Sequence, residues 1–306
     1  MPTPLVTFDT DAFAPLRIMA VEHRLIDHPL LQLSKLFELG KRLDAKGSVR
    51  SHNDQASPAT SFTHAPETHK AKLSAEETIR RIEEAQAWLA LHNIQQDDEY
   101  RTLVDEVLDS VRPRVEAKDP GMCYRAGWIF ITSPNAITPY HMDHEHNFIL
   151  QIHGKKTLHV WDPLDRAVVS ERSLELFHAK RSRELVTYRD EYLAKARVFQ
   201  LEPGLGGYMP LTSPHWVKNG DNVSVTVSFT YYTNLTRQRE TLYRGNHTLR
   251  ALGLTPAPVG DQLSVRESAK HLAFRSYAGA RGFARRLRGQ PHYDNAVRYA
   301  PVASGY

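Results

Sequence analysis

A chain of 306 residues, 41% hydrophobic and 24% charged, can bury a sizeable core as one large domain or two small ones. Its formal net charge of +4 is small for that length and gives no whole-molecule argument for nucleic acid or membrane binding. The single cysteine, Cys123, excludes an intramolecular disulfide framework and a zinc site built on several thiolates. With an N-terminus lacking a basic and apolar leader and no run long enough to span a bilayer, the expectation is a soluble, cytoplasmic protein.

The first elements in chain order are a short strand near Leu16 to Val21 and a helix opening at Asp27-His28-Pro29. Asp27 is the expected N-cap and Pro29 sits in the first turn, while Leu30, Leu33, Leu36, Phe37 and Leu43 recur at helical spacing. From Lys46 to Lys72 the composition turns to Ser, Asn, Asp, Thr, His and Pro, which predicts a long loop or lid. Its histidines, His52, His64 and His69, match no metal spacing and read as solvated. Ser74-Ala75-Glu76-Glu77 is a capping box that starts a predicted helix with Ile79, Ile82 and Leu89 on one face and Trp88 beside them. A second helix begins near Asp98, with a stripe of Tyr100, Leu103, Val104, Val107, Leu108 and Val111 and an end near Pro113.

Near Gly121 the texture changes. The runs 128–132, 148–152, 157–161, 198–201 and 224–229 are rich in β-branched and aromatic residues and are punctuated by Gly, Pro and Asn-Gly, so they predict short strands of a sandwich or barrel. Between Pro163 and Arg197 a charged stretch with Leu174, Leu176 and Phe177 predicts a partly helical insertion. Beyond Asn234 the strand signal stops. Ser264-Val265-Arg266-Glu267 is another capping box, and the stretch to Arg288 sets Leu272, Phe274, Phe283 and Leu287 among arginines and lysines. Such a basic amphipathic segment fits a solvated helix or a dimer contact ahead of an acidic partner, and nucleic acid is disfavoured.

The stretch with the most chemistry is Thr138-Pro139-Tyr140-His141-Met142-Asp143-His144-Glu145-His146-Asn147. His-x-Asp at a strand end puts an imidazole and a carboxylate on the same side of the backbone, because side chains alternate with period two. A third metal ligand must come from elsewhere, and His215, after Pro214 at a predicted strand end, is the best candidate. Two histidines and one carboxylate on one face leave coordination positions open, the arrangement of non-haem Fe(II) oxygenases. His-x-Asp alone is a weak signal. It gains weight from the buried-looking strand that follows, the Gly154-Lys155-Lys156 turn, the Pro203-Gly204 turn, and the strand before Pro214-His215. A double-stranded β-helix, or jelly roll, can bring these distant residues together.

These residues, with Asn147-Phe148 and Gln151-Ile152-x-Gly154-x-Lys156, resemble the jumonji-C, or cupin-like, group of Fe(II)- and 2-oxoglutarate-dependent oxygenases. Within it, the similarity is to the branch that includes the asparaginyl hydroxylase factor inhibiting hypoxia-inducible factor. The resemblance spans about Gly121 to Thr233; elsewhere only the general layout corresponds, including a helical C-terminal segment that is often a dimer contact in that branch. It implies His141, Asp143 and His215 as iron ligands, Lys156 on the distal carboxylate of 2-oxoglutarate with Thr138 at the same end, and Asn147 with Ser228 at the end that chelates iron. Lys155 is the alternative anchor. The implied reaction is hydroxylation of a C–H bond in a protein or peptide side chain or a small metabolite, with release of succinate and CO2.

The expected organisation is mainly β with flanking helices. Residues 1–120 form a helical region packed on the core, with the lid at 46–72. Residues 121–235 form the jelly-roll core with an insertion at 163–197, and residues 236–306 form a basic helical region. His144 and His146 read as neighbours of the site, and Tyr124, Trp128, Phe130 and Trp216 as core or pocket wall. Two rivals remain: a cupin metalloenzyme that uses no 2-oxoglutarate and so has no need of Lys156, and a non-catalytic cupin binding module, which would gain nothing from an open metal position.

Overall fold

The computed structural model describes residues 4–287 apart from 182, 184, 185, 262 and 263. The chain starts with strands β1 (Val6–Thr7) and β2 (Met19–His23), and β2 buries alternate residues as a half-covered strand should. A 3₁₀ turn at Pro29–Leu31 and helix α1 (Leu33–Asp44) follow. The predicted N-cap shifts by one residue: His28, not Asp27, caps the turn, its ring accepting from Leu30 N–H.

The polar stretch expected as a loop or lid contains strand β3 (Val49–Asn53) and the short helix α2 (Ala65–Thr68). His52 is buried there and stacks on Trp88 at 4.7 Å, which corrects its reading as solvated; His64 is exposed as expected. Ser74 and Glu77 do form a capping box, but helix α3 (Ala75–Arg80) is short. The residues after it, predicted as the same helix, are strand β4 (Ala87–Leu91), buried at every position. Ala87 to Leu91 carry no polar residue, and a short apolar run has no periodicity to distinguish a buried strand from a helix. Helix α4 (Asp98–Glu116) runs past Pro113, which lies in its last turns.

Strands β5 (Cys123–Thr132), β6 (Ile137–His141), β7 (His146–His153) and β8 (Lys156–Val160) come next. The insertion is helix α5 (Glu171–Lys180) and a 3₁₀ segment at Asp190–Lys195. The β series ends with β9 (Arg197–Leu201), β10 (Leu205–Met209), β11 (His215–Asn219) and β12 (Ser224–Tyr232). Helices α6 (Asn234–Ala251) and α7 (Val265–Leu287) follow. The basic run ends at Arg288, which lies outside the described residues. No helix among the described residues is long and apolar enough to cross a membrane.

Two antiparallel sheets face each other, with orders β1-β2-β10-β7-β12-β5-β4-β3 and β6-β11-β8-β9. The expected jelly roll is therefore present. It is larger than the resemblance alone indicated, because the first 120 residues supply four strands of the large sheet. Ile18, Ile149, Leu158, Val160, Leu201, Met209 and Val217 fill part of the space between the sheets. The outer face of the large sheet packs on α1 and α4, in a cluster running from Val6 to Tyr231. The outer face of the small sheet packs on α5 and α6 through Tyr140, Trp161, Trp216, Phe177 and Leu242.

Candidate metal and dicarboxylate site

β6 and β11 pair antiparallel with His141 opposite His215. Met142 is buried among Tyr140, Trp161 and Phe177, so the alternation of the backbone turns His141 and Asp143 to the other side, toward the space between the sheets. Thr138 also faces inward, although it stands three residues from His141. The register of β6 on β11 shifts between His215 and Val217, and that irregularity lets both side chains point the same way.

The result is a compact donor cluster. One ligand atom each from His141, Asp143 and His215 lies within 4.8 Å of the other two. His141 Nδ1–H donates to Pro139 O at 2.8 Å and His215 Nδ1–H to Ser213 O at 3.0 Å, so both Nε2 lone pairs are left free. Those two Nε2 atoms are 3.9 and 3.8 Å from Asp143 Oδ2. Burial, more than any neighbouring charge, holds both imidazoles below their usual pKa and therefore neutral, the form that binds metal. Burial would raise the Asp143 carboxyl, but the charge of its neighbours, Arg183 first among them, outweighs it and keeps the pKa low. Neutral imidazoles and an ionised carboxylate fit a divalent first-row metal.

The turn carrying His215 is tied to Asp143. Thr212 N–H donates to Asp143 O at 2.8 Å, and Thr212 adopts φ +57°, a costly conformation for a β-branched residue. Over the cluster, the Phe62 ring stacks on His141 at 3.8 Å. Arg183 binds Asp143 Oδ1 at 2.9 Å and lies 5.3 Å from the Phe62 ring centre; Arg50 lies 4.4 Å from the same ring. Phe62, Arg50 and Arg183 carried no sequence signal, because they belong to a polar loop, an edge strand and a charged insertion.

Deeper in the barrel, Lys156 is 4% exposed and pairs in register with Asn219 and Leu201. It forms no ion pair among the described residues, and its ammonium lies 5.9 Å from the centre of the Phe130 ring. Burial pushes its pKa down to about 7. Lys155, the alternative anchor, is instead exposed and bonded to Glu202 at 2.6 Å. Lys156 and Val160, the partner of His215, are four residues apart on β8, about 13 Å along the strand. Thr138 accepts a hydrogen bond from Trp88 Nε1 at 2.8 Å, a contact made possible by the unforeseen strand β4. Asn147 Nδ2 donates to Ser228 Oγ at 3.2 Å on the opposite wall.

The other residues singled out from sequence fall outside this cluster. His144 stacks on Phe177 at 3.9 Å, and His146 is buried 2.9 Å from Tyr208 Oη. Trp216 lies on the outer face of the small sheet, stacked on His159, and does not face the large sheet.

A family profile described as a cupin-like domain matches residues 31–237. The chain belongs to the cupin-like domain family. No curated protein matches this cupin-like chain in sequence. Among solved structures it is similar to Escherichia coli ycfD, at 16% identity and a TM-score of 0.50 over 89% of this chain and 68% of that one. A second structure, of the E. coli ribosomal oxygenase YcfD with cobalt and 2-oxoglutarate, matches at 16% identity and a TM-score of 0.43, over 86% of this chain and 63% of that one. An oxalate decarboxylase matches at 19% identity and a TM-score of 0.24, over 43% and 29%. At these identities the likeness is one of fold.

Proposed function

We propose that this cupin-like protein is an Fe(II)- and 2-oxoglutarate-dependent oxygenase that hydroxylates a C–H bond, converting 2-oxoglutarate and dioxygen to succinate and CO2 as one oxygen atom enters the substrate. The observation that carries this reading is Lys156, a buried ammonium without a carboxylate among the described residues, which faces the space between the two sheets, as do two neutral imidazoles and a carboxylate. A cation costs several kcal/mol to bury unpaired, and a dicarboxylate arriving from outside would offset that cost. His141, Asp143 and His215 would hold the metal, whose chemistry when bound is activation of dioxygen. Lys156 and Thr138 would hold the far carboxylate, while Asn147 orients the near end.

Phe62, stacked on His141, and Arg183, bound to Asp143, would exclude water from the metal position and select what approaches it. The substrate class we favour is a protein or peptide side chain, with a small metabolite as the second choice. The similarity to the asparaginyl hydroxylase branch remains a resemblance in motif. A cupin metalloenzyme without 2-oxoglutarate is the second reading, and the unpaired Lys156 speaks against it.

The test is anaerobic titration of the protein with Fe(II) and then 2-oxoglutarate, following the visible charge-transfer band of the chelate. The expected result is a saturable band in the wild type and none in His141→Ala. A wild-type protein that binds Fe(II) but shows no response to 2-oxoglutarate would favour the second reading.

A further inference from the structure

The inner face of the large sheet continues beyond Trp88 and Phe130 as an aromatic and basic surface. On β4, Trp88 and Ala90 pack with Phe130 of β5. His92 N–H donates to Ser48 O, so the pairing with β3 reaches one residue further, and alternation puts His92 and Trp128 on the side of Trp88 and Phe130. Their rings lie 4.3 Å apart. On β3, Arg50 stands opposite Ala90.

Two guanidiniums meet at this surface. Arg50 and Arg183 lie 4.4 and 5.3 Å from the centre of the Phe62 ring, which itself stacks on His141. Both also act on His92: burial first, then the charges of Arg50 and Arg183, push its pKa down to about 3, and among the described residues no carboxylate counters them.

The two arginines are not equivalent. Arg50 donates to the backbone carbonyls of Phe62 and Thr63, and so fastens the loop that carries the ring. Arg183 contacts Asp143 Oδ1 at 2.9 Å, and its side chain is 22% exposed. A guanidinium is a planar fork of N–H donors, and Asp143 is the one acceptor that Arg183 meets among the described residues. Glu145 feels its charge but forms no ion pair with it. With the site loaded, Lys156 and a divalent metal would balance Asp143 and a doubly charged 2-oxoglutarate, which leaves Arg183 without a bonded counter-ion of its own. Positive charge beside a substrate-facing ring favours an anion and repels a cation. A planar fork with donors to spare favours an anion with two oxygens side by side.

We propose that the substrate carries a carboxylate, which binds the remaining N–H groups of Arg183 while Phe62, His92 and Trp128 pack against the chain that bears it. This names the substrate class of the oxygenase reading above and rests on that reading. The carboxylate can belong to an Asp or Glu side chain of a peptide or to a free acidic amino acid, and the experiment separates the two.

Succinate release is measured for the Fe(II)-loaded full chain with 2-oxoglutarate and one probe at a time. The probes are end-blocked peptide libraries with random flanks and a fixed central Asp, Glu, Asn, Gln, Lys or phosphoserine, and the free amino acids aspartate, glutamate, asparagine and glutamine. The wild type is expected to respond to acidic probes about tenfold more than to their amide counterparts. Arg183→Gln is expected to bring that ratio to within about twofold of unity, and Arg183→Lys to keep a preference of about threefold. A response confined to the libraries assigns the carboxylate to a peptide, and one confined to the free amino acids assigns it to a small metabolite; either upholds the proposal. Equal response to acid and amide in the wild type overturns it, and so does a stronger response to phosphoserine. A loss in Arg183→Gln shared equally by all probes also overturns it, because such an arginine only positions Asp143. A wild type that binds 2-oxoglutarate, read from the charge-transfer band, yet responds to no probe overturns this assignment alone. One that binds Fe(II) but not 2-oxoglutarate overturns the oxygenase reading first, and this assignment with it.

Discussion

Lys156 joins the polarity of the space between the sheets to its chemistry. Its ammonium is desolvated without compensation, which lowers its pKa from 10.5 to about 7. The unfolded chain then binds a proton more readily than the folded one between about pH 7 and pH 10.5. The lysine's destabilising effect is thus fully present below pH 7 and fades as pH rises toward 10.5, with a slope of at most about 1.4 kcal/mol per pH unit. A bound dicarboxylate reverses the balance by favouring the charged ammonium. At pH 8 to 8.5, 2-oxoglutarate binding to the Mn(II)-loaded protein is therefore expected to take up close to one proton. Calorimetry in buffers of different ionisation enthalpy measures that number directly, and Lys156→Met is expected to abolish it. The same substitution removes an unpaired buried charge, so the ligand-free protein should melt higher while 2-oxoglutarate affinity falls on the order of 100-fold. Proton uptake that persists in Lys156→Met would assign it to another group, with Glu145, whose pKa burial and the Asp143 charge push up to about 7, the first to examine.

At the scale of elements, the turn between β7 and β8 sets where Lys156 enters. Gly154 has φ +72°, and a Cβ there would stand 2.1 Å from Val223 O, a backbone atom that cannot move alone. Gly154→Ala is expected to cost about 2 kcal/mol or more, from the left-handed backbone and the clash together, read as a lower denaturant midpoint with an unchanged slope. This turn was legible in the sequence as Gly-Lys-Lys after an apolar run, and so were the strands around it, since runs of β-branched and aromatic residues are set off by turn residues on both sides of the 163–197 insertion. What was not legible depended on partners. β4 is a strand because β5 offers it an edge, with Leu89 opposite Ile131. α6 falls in the region expected to be helical, but its bounds were not legible because its buried face sets Arg239, Glu240 and Asn246 beside Leu242 and Tyr243, so no continuous apolar stripe marks it. The metal-ligand cluster was readable because His141 and Asp143 are adjacent on one strand end; His215 was found by its strand-end context, and Arg183 and Phe62 by nothing.

For the whole molecule, the question is whether the N-terminal 120 residues are a separate body or part of the barrel. One hydrophobic cluster includes Val6, Leu36, Leu91, Val107 and Val115 from that stretch and Ile129, Phe148, Val227 and Tyr231 from the strands beyond it. β4 pairs with β5 and β2 with β10, so backbone hydrogen bonds cross the expected boundary twice. A polypeptide with one continuous core and one continuous sheet has no surface along which to melt in halves. Unfolding is therefore expected to be a single transition across the barrel and its N-terminal cover. Trp88 on β4 and Trp128 on β5 report on the two sides of the expected boundary, and single-tryptophan variants retaining one or the other should give the same midpoint in denaturant. The metal site sharpens the test. Its proposed ligands lie entirely in the C-terminal part, at Asp143 and the ends of β6 and β11, yet a ligand that binds only the native state stabilises every region that unfolds with it. Saturating Mn(II) should raise both midpoints by the same amount, and neither in His141→Ala. A shift confined to the Trp128 probe would separate the chain into two folding units at about residue 120.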